Sequence, residues 1–259
     1  MSAPRPLMRV INCAKHKKRL SRFRRTASNA VTRRIVRKPC VNGATYSDVD
    51  LCDMVNRGLV DKNADLNPIE IAIAWSHRKC WEELIKSTST YMVVCEDDAV
   101  LRSARFEPFL SALLQAQHAQ HAQQTQRGQN DFRFDIFYFV NGNWDKTKSR
   151  AKYLGTLNKV KIFKENSEYY NAGLACYCIH RDFANILCER QFPMKEAVDN
   201  FIGATLPRRK RHLFAETSKD RLSCYTRSAV ASMNCPLEGS KLSTQDRTRS
   251  SIKDRQRCI

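Results

Sequence analysis

Five apolar residues in a row, Tyr91-Met92-Val93-Val94-Cys95, run directly into three acids, Glu96-Asp97-Asp98. An apolar run of that length suits a strand covered on both faces, and such strands belong to parallel sheets with helices on either side. The rest of the chain repeats the theme. Residues 7–13, 134–140 and 173–179 read as further buried strands, with 31–36 as a second strand soon after the first. Residues 15–30, 66–85, 105–117 and 181–189 read as helices between them. Strands alternating with helices predict an α/β fold built on a mostly parallel sheet.

The helix over 66–85 has the clearest start. Asn67 is a good N-cap, Pro68 suits the first helical position, and Glu70 falls where a capping box needs its acid. Ile69, Ile73, Cys80 and Leu84 keep to one face and read as its apolar stripe, interrupted by Ser76 and His77. Asn42-Gly43 marks a turn. Residues 118–130 are a low-complexity stretch rich in Gln, Ala and His, read as an exposed extension. The i, i+3 pair His118 and His121 fits compositional drift better than a metal site.

The net charge of +19 suggests a polyanion partner until it is located. Residues 1–47 carry 13 Lys/Arg and no acid, residues 205–259 carry 13 against 5 acids, and residues 48–204 hold 19 bases against 21 acids. The basic character belongs to the ends, and the middle has the charge balance of an ordinary enzyme core. The expected organisation is one domain over 1–204 and a basic, weakly packed or disordered tail over 205–259. A nucleic-acid reader is the main competing class, on the strength of the acid-free N-terminus and Pro207-Arg208-Arg209-Lys210-Arg211. Few aromatics accompany those bases, so base stacking has little to work with. No apolar run is long enough for a transmembrane helix, and the basic N-terminus lacks the apolar stretch of a secretory signal. A cytoplasmic protein is expected, with its basic ends available for peripheral contact with anionic membrane. The eleven cysteines form no CxxC pair and read as reduced thiols, with a disulfide framework as the alternative.

The acid triplet is the candidate site. Neighbouring carboxylates repel and raise one another's pKa unless a cation offsets them, and oxygen-only ligands favour Mg²⁺ or Mn²⁺. Their place at the end of a buried strand is where open α/β sheets bind ligands. A divalent ion there would bridge a diphosphate. The plain alternative is a turn or helix start decorated with acids.

In this context the chain resembles glycosyltransferase family 25, which includes lipopolysaccharide and collagen-type galactosyltransferases. The likeness rests on Ile11-Asn12-Cys13 followed by Arg19 and Arg22, and on Asn42-Gly43. It continues through Leu66-Asn67-Pro68-Ile69-Glu70-Ile71 with Ser76-His77 and Trp81, and through Val93-Val94-Cys95-Glu96-Asp97-Asp98. Its last part is Gly173, Tyr177, Ala184, Leu187 and Val198-Asp199. Ile69 and Ile73 stand where the family has Gly and Cys, Asn42 where it has Asp, and Cys13 where it has Leu.

The resemblance implies a GT-A-like, Rossmann-related fold and an inverting hexosyl transfer. The donor would be a nucleotide sugar, UDP-galactose or UDP-glucose, and the acceptor a hydroxyl of a glycan, lipopolysaccharide or glycoprotein. It also implies roles. Glu96, Asp97 and Asp98 hold Mn²⁺ or Mg²⁺ and contact the donor. Asn12 lies near the nucleotide, and Arg19 offsets phosphate charge unless it is simply a surface arginine. Glu70 and His77 share a helix face toward the donor, with a satisfied core histidine as the alternative for His77. Asp199 is either the general base or a helix cap. A catalytically inactive relative that keeps the fold is the third possibility.

Overall fold

The computed structural model describes residues 5–27, 29–101, 106–122, 134–139, 152–164, 174–205, 212–215 and 224–226. Its centre is an eight-stranded mixed sheet. β1 (Leu7–Asn12) lies between β2 (Val36–Pro39) and β3 (Tyr91–Glu96) and runs parallel to both. Beyond β3 come β8 (Cys176–His180), β5 (Ile136–Tyr138), β9 (His212–Ala215), β7 (Val160–Lys164) and β6 (Lys152–Leu157), giving the order β2-β1-β3-β8-β5-β9-β7-β6. β8 is antiparallel to both its neighbours, so the parallel pairing that carries the first β–α–β units gives way to mixed pairing past β3. A separate antiparallel pair joins β4 (Ala99–Leu101) to β10 (Cys224–Thr226).

Helices cover both faces, as strands apolar on both sides require. On one face α1 (Lys17–Thr26), α2 (Asn29–Arg34) and α5 (Phe106–Ala122) bring Phe23, Val31, Phe109 and Leu113 onto Val10, Val93 and Cys95. On the other, α4 (Pro68–Lys86) and α6 (Arg181–Arg190) set Trp81, Leu84, Phe183 and Leu187 against Met92, Val94 and Ile179. α3 (Asp48–Asn56) and α7 (Val198–Thr205) complete that layer through Leu51, Val198 and Ile202. Each large side chain buried this way stabilises the fold by about 1.5–3 kcal/mol. Among the described residues no helix is long and apolar enough to cross a membrane.

Several sequence expectations are corrected by packing. The strand expected over 31–36 is two elements, the helix α2 followed by β2, because Val31 and Ile35 are needed as helix-side anchors in the core. The helix expected over 15–30 breaks at Ala27, whose N–H closes on the Phe23 carbonyl as its backbone turns extended. The stripe assigned to α4 holds at Cys80 and Leu84, both fully buried, and fails in the first turns. Ile69 and Ile73 are 44% and 41% exposed, whereas Ile71, Ala74, His77, Trp81 and Leu84 face inward. Residues beyond 204 also contribute a strand to the main sheet. β9 pairs with both β5 and β7 inside the main sheet, and Leu213 is buried. Of the extension expected over 118–130, residues 118–122 continue helix α5, while residues 123–130, the basic run at 207–211 and Gly173 lie outside the described residues.

Candidate active site

The chain leaves β1 toward β2 on one side and returns to β3 on the other. Loops following such strands diverge at their carboxyl ends and leave a crevice. Here the crevice encloses about 350 Å³. Asn12, Lys15 and His16 line it after β1, residues 40–43 after β2, Ile69, Ile73 and Ser76 from α4, and Glu96 and Asp97 from the end of β3.

Asn12 is the buried hub of this crevice, at 2% exposure. Its amide nitrogen donates to Asp97 Oδ2 at 2.6 Å and to the His16 carbonyl at 3.1 Å, while its Oδ1 accepts from Arg37 Nε at 3.0 Å. Both protons and the oxygen of the amide are thus engaged, which fixes its orientation. Asp97 Oδ1 takes an ion pair from Arg19 Nη2 at 2.8 Å, and the same nitrogen lies 3.6 Å from Asp98 Oδ2. One guanidinium therefore serves two adjacent carboxylates. Asp98 Oδ1 is buried and has no hydrogen-bond partner among the described residues. Burial, reinforced by the Glu96 charge, pushes the Asp98 carboxyl up to about 6.

Glu96 turns the other way. Its Oε1 is 3.3 Å from His77 Nε2, at the end of a buried chain in which Trp81 Nε1 donates to the Tyr177 hydroxyl at 3.0 Å and that hydroxyl meets His77 Nδ1 at 2.9 Å. The indole can only donate, so Tyr177 accepts from it. The Glu96 carboxylate can only accept, so its contact calls for the His77 proton on Nε2, which leaves Nδ1 to accept from the Tyr177 hydroxyl. Burial holds the Tyr177 hydroxyl well above its ordinary pKa, which keeps the hydroxyl proton in place. His77 is thus a satisfied core histidine that also reaches the site.

The fold brings Asn12, Arg19, His77, Glu96, Asp97 and Asp98 together. The three acids do not form one cluster: among the described residues no three His, Cys, Asp or Glu side chains are placed to hold a metal ion jointly. Glu96 leans on His77 and Asp97 on Asn12 and Arg19, because each finds a donor on a different element.

Glu70 is placed at the start of α4. Its Oε2 accepts from the Asn67 N–H at 2.8 Å in the capping box of α4, and it is not among the crevice residues. Asp199 lies outside that lining too. It sits in the first turn of α7 and accepts from the Asn200 N–H at 3.0 Å.

Three features escaped the sequence reading. Arg37 holds Asn12 from β2, and Ser76 accepts from the Val41 N–H at 2.8 Å, fastening α4 to the loop after β2. Cys13 and Cys40 are disulfide-bonded rather than reduced, because each follows directly on one of two paired strands whose register joins Asn12 to Pro39. Pairing of β1 with β2 was the signal needed for both Arg37 and the disulfide.

An open α/β sheet with an acid-tipped crevice at its switch point is the arrangement of a Rossmann-related protein that binds its ligand beyond the strand ends. The model of glycosyltransferase family 25 (LPS biosynthesis protein) matches residues 10–202, and the chain belongs to that family. It is accordingly a glycosyltransferase, with a sugar donor and an acceptor as substrates. Among solved structures it is similar to an active-site mutant of LgtC, at 10% identity and a TM-score of 0.36. That match covers 95% of this chain and 82% of the other, and a likeness so distant carries no weight. No curated protein matches the chain.

Proposed function

We propose that the enzyme transfers a hexose, galactose or glucose, from a UDP-sugar to a hydroxyl of a glycan, lipopolysaccharide or glycoprotein, with inversion and with the help of Mn²⁺ or Mg²⁺. The observation that carries this reading is the orphaned Asp98 oxygen beside the shared Asp97–Arg19 pair, at the carboxyl end of β3. A buried carboxylate oxygen with no partner is unfavourable unless a cation or donor completes it. The donor set fits a hard ion. Mg²⁺ commonly takes one or two carboxylates and fills its remaining positions with water and substrate phosphates, so no third protein ligand is needed. Asp98, with Asp97, would hold the ion, and its chemistry is to offset charge on the leaving diphosphate.

The other residues prepare the site. Arg19 supplies positive charge to the acids, and Asn12 holds Asp97 in place. His77 anchors Glu96 from the core, leaving the second Glu96 oxygen for the donor. Ile69 and Ile73 give the donor an apolar wall where the family carries smaller side chains. Asp199, in the first turn of α7, serves as general base on the acceptor hydroxyl. The acid-free N-terminal segment would favour an anionic membrane surface, where lipid-linked acceptors are found.

The test is a donor screen with Mn²⁺ and Mg²⁺ that measures released nucleoside diphosphate. UDP release from UDP-galactose or UDP-glucose, lost on chelation, is the expected result. Turnover insensitive to chelation, or confined to GDP- or CMP-sugars, overturns the metal or donor assignment respectively. Asp199→Ala is expected to remove transfer by at least about 100-fold while donor binding persists. Transfer at the wild-type rate would return Asp199 to a capping role.

Asp98 gives a prediction that needs no substrate. A carboxyl whose folded pKa is about 6, against a starting value of 3.8, favours folding when protonated. That contribution is full below about pH 4 and is lost as the pH rises through about 6. Asp98→Asn should therefore melt above wild type at pH 7.5 without metal, by about 1–2 kcal/mol of stability, with the difference vanishing at pH 4. A difference that is constant across this range would show that Asp98 titrates normally.

A further inference from the structure

On the far side of α1 from the crevice lies a second hollow of about 550 Å³, and it is lined by bases with no acid. Lys17, Ser21, Arg24 and Arg25 face it from α1, Arg37 enters from β2, and Asn12 closes its inner end. Lys17, Ser21, Arg24 and Arg25 fall at i, i+4, i+7 and i+8, which places them along one side of the helix. α1 has no acid at all, so nothing on the helix neutralises them. Like charges at this spacing oppose helix formation by a few tenths of a kcal/mol per pair, and no ion pair to Lys17, Arg24 or Arg25 occurs among the described residues. Arg37 differs from the other three. Its Nε and Nη2 donate to the Asn12 side chain and carbonyl at 3.0 and 3.1 Å, so its planar head is held in place before any ligand arrives. A preset guanidinium with mobile cations around a concave space is suited to a compact, multiply charged anion.

We propose that this hollow binds a phosphate group carried by a sugar, through Lys17, Arg24, Arg25 and Arg37, and that it recognises a phosphorylated glycan acceptor. A concave site with one preset fork favours a discrete phosphomonoester over a flat lipid surface or an extended polymer. The hollow and the crevice share Asn12, which receives Arg37 on one side and gives a proton to Asp97 on the other. An anion that draws on Arg37 therefore alters the hold on Asp97, and occupancy of the hollow is linked to the state of the acid site. Phosphate binding stands independently of the donor reading; only the acceptor role rests on it.

The experiment titrates the full-length protein calorimetrically with glucose 6-phosphate, with glucose as the uncharged control and inorganic phosphate as the minimal probe. The wild type is expected to bind both phosphates in a salt-dependent manner and to ignore glucose. The triple variant Lys17→Gln, Arg24→Gln, Arg25→Gln changes exposed side chains only. It should bind the phosphates at least about ten-fold more weakly, at one to two lost charge contacts, and melt near wild type. Arg19→Gln, on the crevice side, should weaken phosphate binding far less than the triple variant does. Equal binding by wild type and triple variant overturns the proposal, and so does a loss confined to Arg19→Gln. If the triple substitution weakens binding to phosphatidic acid vesicles or to an oligonucleotide but not to glucose 6-phosphate, the partner is a surface or a polymer and the proposal fails. Should no UDP-sugar be turned over while these titrations behave as expected, the donor reading fails and the phosphate site remains.

Discussion

Asp97→Asn is expected to slow sugar transfer by about 10²- to 10³-fold while the protein still folds, with a melting temperature only a few degrees below wild type. Asp97 receives two donors at once, the Asn12 amide at 2.6 Å and the Arg19 guanidinium at 2.8 Å. An asparagine presents one oxygen and one NH₂, so one of these contacts must become donor against donor. The missing charge also leaves Arg19 with Asp98 alone, at 3.6 Å. Preorganised charge of this kind is worth roughly 3–4 kcal/mol in a transition state when a single well-placed group is removed. Steady-state transfer together with a circular-dichroism melt checks the result. A near-wild-type rate would mean that the acid end of β3 is not where the reaction takes place.

Gly43→Ala is the largest expected structural effect from so small a change. A Cβ at Gly43 would stand 2.2 Å from the Pro68 carbonyl oxygen, 2.7 Å from its carbon and 2.8 Å from Ile69 Cα. All three are backbone atoms in the first turn of α4, and no side chain can swing aside to relieve them. The loop after β2 and the start of α4 must separate, straining the Val41–Ser76 hydrogen bond and shifting the wall that carries Ile69. A cost of about 2–4 kcal/mol is expected, or about 5–10 °C in a protein of this size, with weaker donor binding. Gly58→Ala is the matched control. Gly58 has φ +68 and nothing within 4 Å of an added Cβ, so its cost is backbone strain alone, about 1 kcal/mol. Equal losses at the two positions would show that the loop and α4 are not in close contact.

The difference between those glycines also shows how sequence legibility works in this chain. Asn42-Gly43 reads as a turn, which explains a glycine by freedom of backbone angle. The requirement is steric, imposed by a helix that begins 25 residues later. The same holds for α4. Its start was legible to the residue, because Asn67, Pro68 and Glu70 act within one turn of each other. Its buried face was legible only in part, because the aliphatics Ile69 and Ile73 look like core while the core position belongs to His77. Only the Tyr177 and Glu96 partners, 100 and 19 residues away, make that burial tolerable.

Local chemistry in the chain was enough to determine the alternation of buried strands and helices, the capped start of α4, the acid tip of β3 and the family. These depend on periodicity, neighbours a few residues apart and the order of motifs. Tertiary structure alone decided that the three acids face different partners, that Arg37 and Asp97 meet through Asn12, that Cys13 reaches Cys40, and that a strand from beyond residue 204 enters the main sheet. Each of those depends on which strands lie side by side. Strand neighbours are chosen by burial summed over the whole sheet, a quantity that no short segment contains.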